Sequence, residues 1–169
     1  MEYLARSISI KRWKLDTARG SAWIRADAVT NCLKTQEDVL SFWECNLDKN
    51  SIDEVATAIA SGFKTLEGIS IILLAKTELE AIGCNYNLTD GETPLKSAVN
   101  KHMDVGKLGL DDLSKLARLI AQKVRTSTEG QLLINQYTQN RLLELIGLEI
   151  KKGNININSL NEKLAEKFK

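Results

Sequence analysis

Apolar residues follow strand-like patterns in three segments of the first half of the chain. Residues 3–10 alternate between apolar and small or polar side chains, as a half-buried strand requires. Residues 39–45 are rich in aromatic and other β-prone side chains and precede a turn-rich stretch. Residues 69–74 form an almost continuous aliphatic run, which indicates a strand buried on both faces.

Helical spacing appears between the second and third of these segments. Ser51 and Glu54 form a capping box, and apolar residues follow at helical spacing as far as Phe63. A strand, a helix and a strand in this order permit a right-handed parallel crossover. A short helix is predicted over 76–82, followed by a loop or hairpin over 85–91.

Residues 11–37 have no sustained period and are predicted to be irregular. The second half of the chain has mainly helical patterns instead. Helices are predicted over 93–103, 111–125, 128–152 and 159–168. The fold class is therefore predicted as α+β, with a sheet of about three to four strands, mainly N-terminal, packed against a mainly helical C-terminal half.

A single globular domain covering 1–169 is expected, because this length buries a sufficient core without disulfides or a metal. The composition is 43% hydrophobic and 27% charged with one proline, which is typical of a globular protein. The longest apolar run is too short to cross a bilayer, and the first residues lack a secretion signal. The three cysteines lack metal or redox spacing, so a cytoplasmic location is predicted.

Charge is distributed unevenly although its sum is only +1. Residues 1–25 carry a net charge of +4, residues 26–92 carry −8 and residues 93–169 carry +5. The chain thus divides into a strand-rich part with an acidic centre, 1–92, and a helical, basic part, 93–169. Such asymmetry either holds parts of one molecule together or steers a charged partner towards one face.

The helix predicted over 128–152 has apolar residues on two sides. A helix of this kind is either central in the core or binds a partner. Arg141 projects into the second apolar side, so it is either paired internally or part of an interface. The interface interpretation predicts partner-binding residues at Tyr137, Arg141, Leu145 and Leu148.

Carboxylates follow two of the predicted strands at Glu44, Asp48 and Glu78. Paired carboxylates can hold a divalent metal or share acid and base roles. The preferred interpretation is that they are solvated loop residues, with an ion pair to Lys76. The lone His102 is predicted to lie at the surface near a helix C-terminus. No catalytic residue, metal site or cofactor is predicted.

Cations and an aromatic ring occur together near the N-terminus at Lys11, Arg12, Trp13 and Lys14. A single-stranded nucleic-acid surface needs this combination, with cations for phosphates and rings for stacking. Tryptophan in such a domain is more often part of the core, so nucleic-acid binding is not the favoured interpretation.

The favoured hypothesis is a non-enzymatic protein-binding or regulatory subunit that self-associates or binds a basic partner protein. An immunity-type or antitoxin-type inhibitor, or a small component of a bacterial defence complex, is compatible with these features. The alternatives are a small metal-dependent hydrolase or nuclease-like enzyme, and a nucleic-acid-binding accessory protein. Light scattering, metal calorimetry and the salt dependence of binding discriminate among them.

Overall fold

A computed structural model describes residues 2–16, 18–20, 22–127 and 132–169. In these ranges six strands form one sheet. They are β1 (Tyr3–Ile8), β2 (Leu40–Cys45), β3 (Ile69–Ala75), β4 (Asn85–Thr89), β5 (His102–Gly106) and β6 (Ile134–Tyr137). The strand order is β4-β5-β2-β1-β3-β6, and every neighbouring pair is antiparallel.

Helices lie on both faces of this sheet and make three layers. They are α1 (Ile10–Trp13), α2 (Ala26–Cys32), α3 (Lys49–Ser61), α4 (Lys76–Ala81), α5 (Leu110–Thr126), α6 (Gln139–Lys151) and α7 (Glu162–Ala165). One apolar core joins the sheet to α3, α6 and α7, and a second joins the opposite face to α1, α2 and α5. Every residue of β3 is buried between the two cores, which confirms the strand predicted over 69–74.

The connection from β2 through α3 to β3 joins two parallel strands, as predicted, but these strands are not adjacent in the sheet. Both strands pair antiparallel with β1, so they run parallel to each other with β1 between them. Asp48 caps α3, because its carboxylate accepts the Ser51 N–H at 2.9 Å. The hydroxyl of Ser51 instead accepts the Asn46 N–H at 2.9 Å, so the helix begins before the predicted capping box.

The sheet has six strands and not the predicted three to four, and the helices are spread along the chain and not concentrated in its C-terminal half. Two segments predicted as helices contain strands instead. The segment 93–103 forms a 3-10 helix (Lys96–Lys101) and then enters β5, and the segment 128–152 contains β6 before α6 begins. The first four residues of the latter prediction, 128–131, lie outside the described residues. Short strands gain their stability from sheet partners far along the chain, which local spacing does not show.

Candidate functional site

Half of one sheet face is left open by the helices that cover the rest of it. Cross-strand registers align Trp43 with His102 and His102 with Thr89, so these three residues form a row from β2 to β4. Residues opposite one another across a sheet share a face. Trp43 belongs to the core beneath α3, so the row leads from that core to a polar edge.

A second row lies beside the first on the same face. Ser41 is in register with Asp104, and Asp104 with Asn87. All three residues are polar, whereas Phe42, Met103 and Val105 on the opposite face are buried in the other core. An apolar helix packed here would leave these polar groups without water, so the sequence keeps this half of the face open.

A cleft of about 570 Å³ occupies the open half. Its apolar walls come from Trp43, from Val39, from Ile59 in the last turns of α3 and from Phe63 just after this helix. Its polar walls hold a histidine and four carboxylates, and none of the described residues that line it is a lysine or arginine. These polar residues are Glu37, Asp90, Glu92, His102 and Asp104.

The four carboxylates of the cleft have no lysine or arginine partner among the described residues. Within the described residues, Asp104 lies 3.9 Å from the Nδ1 atom of His102, a contact that is an ion pair only when the histidine is protonated. Several carboxylates elsewhere in the described residues are paired, as in the Lys101–Glu54 and Lys123–Glu78 ion pairs. The C-terminal turn of α3 adds the negative end of a helix dipole to the same cleft. The cleft is therefore a region of negative potential.

His102 is held in place from two sides. Its Nδ1 lies 2.7 Å from the Thr89 hydroxyl, and its ring meets the Trp43 ring edge-on with centroids 4.9 Å apart. Burial lowers the pKa of His102 below its ordinary value, although Asp104 and Glu92 act in the opposite direction. The imidazole is therefore neutral at neutral pH. His102 directly follows the C-terminus of the 3-10 helix Lys96–Lys101, as predicted, but it is a partly buried residue of β5 and not a surface residue.

Gly91 lets the chain pass directly against the ring of Trp43. A Cβ atom at this position would lie 2.5 Å from Cη2 of Trp43 and 2.9 Å from the Cβ of His102. Neither atom can move freely, because the tryptophan is buried and the histidine is packed against it. Only glycine fits this close approach without rearranging the floor of the cleft.

The residues predicted to bind a partner lie away from the cleft, where α3 packs against β6 and α6. Asp53 of α3 accepts the Tyr137 hydroxyl at 2.6 Å and the Arg141 guanidinium at 3.0 Å. Burial and the Asp53 carboxylate raise the pKa of Tyr137. Arg141 also pairs with Glu144 at 3.2 Å. The guanidinium is thus paired internally, which is the alternative that the sequence left open.

Three of these four predicted residues line one groove between α3 and α6, namely Arg141, Leu145 and Leu148. Leu145 is buried, whereas Leu148 is 47% exposed and the Arg141 side chain is 44% exposed. The expected second apolar side of a long helix is absent here, because Tyr137 belongs to β6 and not to α6. Association through this groove stays a prediction with less support than the sequence suggested.

The three acidic residues singled out in the sequence occupy separate positions with their own partners. Glu44 forms an ion pair with Lys76, as expected, and Lys76 also binds Glu2 at 2.7 Å. Asp48 caps α3. Glu78 accepts the Ala75 N–H at 2.8 Å and pairs with Lys123 at 2.7 Å. Within the described ranges, no three His, Cys, Asp or Glu side chains are grouped to hold a metal ion.

The predicted nucleic-acid residues do not form a stacking surface. Trp13 is only 1% exposed and belongs to the core beside α2 and α5, so its ring is not accessible to a base. Lys11 and Lys14 are exposed, and Arg12 is half-buried. The cations therefore remain at the surface without the aromatic ring that the hypothesis needs.

Sequence reasoning missed the cleft residues, although a signal for them was present. His102 and Asp104 alternate with the apolar Met103 and Val105, which is the period of a strand with one polar face. Pro94 led to the prediction of a helix over 93–103, and that prediction covered the first residues of the alternating stretch.

Comparison with protein-family models, with curated proteins and with solved structures finds no match to this chain. In the part of the chain that the structure describes, the helices are all too short or too polar to cross a bilayer.

Proposed function

We propose that this protein is a non-enzymatic binding protein whose acidic cleft receives a basic segment of a partner protein. The observation that carries this proposal is the set of four carboxylates at Glu37, Asp90, Glu92 and Asp104, which line one cleft without a lysine or arginine partner among the described residues. Carboxylates that line the same cleft each attract an arriving cation, and their attractions add.

The walls of the cleft suit the rest of a lysine or arginine side chain. These side chains have long aliphatic stems that pack on apolar surface while the charged end reaches polar groups. Ile59 and Phe63 on one wall and Val39 on the other supply such surface beside the carboxylates. A cleft open to solvent also admits a segment of chain and not only a single small amine.

A partner that itself binds nucleic acid fits this chemistry, because such proteins carry basic surfaces that neutralise phosphates. A protein that presents clustered carboxylates can occupy the same basic surface. An immunity-type or antitoxin-type inhibitor, or a small component of a bacterial defence complex, would act in this way. The unequal charge of the chain, −8 over residues 26–92, supports the same role.

Calorimetric titration with a lysine-rich peptide tests the proposal. The triple variant Glu37→Gln, Glu92→Gln, Asp104→Asn removes three charges from the cleft. The matched control Asp27→Asn, Glu162→Gln, Glu166→Gln removes three exposed charges elsewhere. The cleft variant is expected to weaken binding at least about tenfold, equivalent to 1.4 kcal/mol, and the control much less. Binding should also weaken as salt rises.

Two results would contradict the proposal. The first is no binding of the peptide by the unaltered protein at low salt. The second is an equal loss of affinity in the cleft variant and in the control, which would show a general effect of net charge and not a site. A small diamine that binds as tightly as the peptide would point to a small-molecule ligand instead.

A further inference from the structure

Strand β4 forms an edge of the sheet and carries no charge that would keep another strand away. Its sequence, Asn85-Tyr86-Asn87-Leu88-Thr89, contains neither a charged residue nor a proline. Edge strands usually carry such residues, which prevent pairing with other chains. Leu88 is 62% exposed and is the most exposed side chain of the large hydrophobic residues in the sheet.

The ladder of hydrogen bonds shows which backbone groups of β4 point outward. In an antiparallel sheet, alternate residues direct their N–H and C=O groups to opposite neighbours. The Lys76 N–H donates to the Glu2 carbonyl at 3.0 Å, so even-numbered residues of β1 face β3. The odd-numbered residues of β1 therefore bond to β2, and the same alternation continues from β2 to β5 and from β5 to β4. In β4 the odd-numbered residues bond to β5, so the backbone N–H and C=O groups of Tyr86 and Leu88 point away from the sheet.

We propose that β4 pairs antiparallel with β4 of a second copy of this chain, about a two-fold axis at Asn87. In this register Tyr86 lies opposite the partner's Leu88, and the two residues exchange both backbone hydrogen bonds. The two-fold axis repeats this pair, so all four outward N–H and C=O groups of each strand are satisfied. Six strands on each side then join into one continuous sheet.

The side chains of β4 favour this occupant and this register. On one face the ring of Tyr86 meets the partner's Leu88, an aromatic and aliphatic cross-strand pair that stabilises a sheet. On the other face only asparagine and threonine side chains meet. No like charges oppose each other, and the contact is self-complementary, as a two-fold interface requires. A shift by two residues would lose part of this pairing or place Tyr86 opposite the partner's Asp90.

The contact is small, so the dimer is expected to be weak and to depend on concentration. The proposal does not depend on the acidic cleft, because its groups lie at the outer edge of β4. Sedimentation velocity between about 5 and 500 µM, in a reducing buffer, should show a dimer that dissociates on dilution.

Two variants at one position test the geometry. Leu88→Pro removes one outward N–H without removing a bond to β5, and Leu88→Lys places like charges near the two-fold axis. Each should raise the dimer dissociation constant at least about tenfold. Leu110→Lys is the control, because Leu110 is an exposed leucine of α5 outside the edge.

The proposal is overturned if the unaltered protein is a monomer at every concentration. It is also overturned if both Leu88 variants dimerise as the unaltered protein does, or if Leu110→Lys dissociates the dimer equally. Circular dichroism of each variant shows whether its sheet is retained. If Leu88→Pro unfolds the protein, the result with Leu88→Lys decides.

Discussion

Replacing Asp53 with asparagine tests how strongly a single carboxylate joins α3 to β6 and α6. Asp53 accepts hydrogen bonds from Lys49, Tyr137 and Arg141 at 2.6, 2.6 and 3.0 Å. Burial by itself would raise the pKa of Asp53, but these three hydrogen bonds outweigh it and lower the pKa below its ordinary value. The charged form is therefore the one that stabilises the fold.

The magnitude follows from the burial of each partner. The Tyr137 side chain is 4% exposed, so its hydroxyl loses a charged acceptor with little access to water. A hydrogen bond to a charged group contributes about 1.5–3 kcal/mol. Lys49 and Arg141 are exposed, and their ion pairs contribute about 0–1 kcal/mol each. We expect a loss of about 2–4 kcal/mol in the free energy of unfolding.

Urea denaturation at neutral pH measures this loss, and at about 2–4 °C per kcal/mol the Tm should fall by roughly 4–16 °C. The Tyr137→Phe variant and the double variant complete a thermodynamic cycle, which isolates the coupling between the two side chains. Because the folded-state pKa of Asp53 is lowered, its contribution is complete above the ordinary pKa and is lost as the pH falls through the folded value. A loss below about 1 kcal/mol, or additive single variants, would refute the reasoning.

The remaining predictions concern the floor of the cleft. Gly91→Ala should destabilise the protein by about 1–3 kcal/mol and change the near-ultraviolet circular dichroism of Trp43, because the new Cβ displaces that ring or His102; an unchanged spectrum would contradict this contact. The free energy of unfolding should decrease as the pH falls below about 6.5. Burial lowers the pKa of His102 in the folded state, so the unfolded chain takes up the proton first. Urea titrations at about pH 7.5 and 5.5 should show a smaller decrease in His102→Asn than in the unaltered protein, and an equal decrease would exclude this residue as the source.

Sequence patterns predicted the elements whose signal is local and complete. The strand β3 and the amphipathic helix α5 are both confirmed. A strand buried on two faces appears in the sequence as a continuous aliphatic run, and a helix buried along one stripe appears as apolar residues at helical spacing. The short helix predicted over 76–82 corresponds to α4. The strands β5 and β6 were missed, because each is only four or five residues long and is stabilised by partners elsewhere in the chain.

The alternation of His102 and Asp104 with apolar residues was visible in the sequence, but which distant residues share the cleft with them could not be predicted, for the same reason. Ser41 and Asp104 lie opposite each other in the sheet although they are far apart in the sequence. Arg141 and Asp53 are 88 positions apart, and only their contact decides that Arg141 is paired internally. Sequence spacing gave Glu44, Asp48 and Glu78 as a group, but the fold assigns each of them to a different partner.

The amino-acid sequence by itself determined the α+β class, the buried central strand, the main helices and the segregation of charge along the chain. These properties depend on neighbouring residues, whose periodicity and charge are present before the chain folds. Tertiary structure alone decided the strand order, the open half of the sheet and the edge at β4. Strand pairing joins distant segments, and its register determines which side chains share a face.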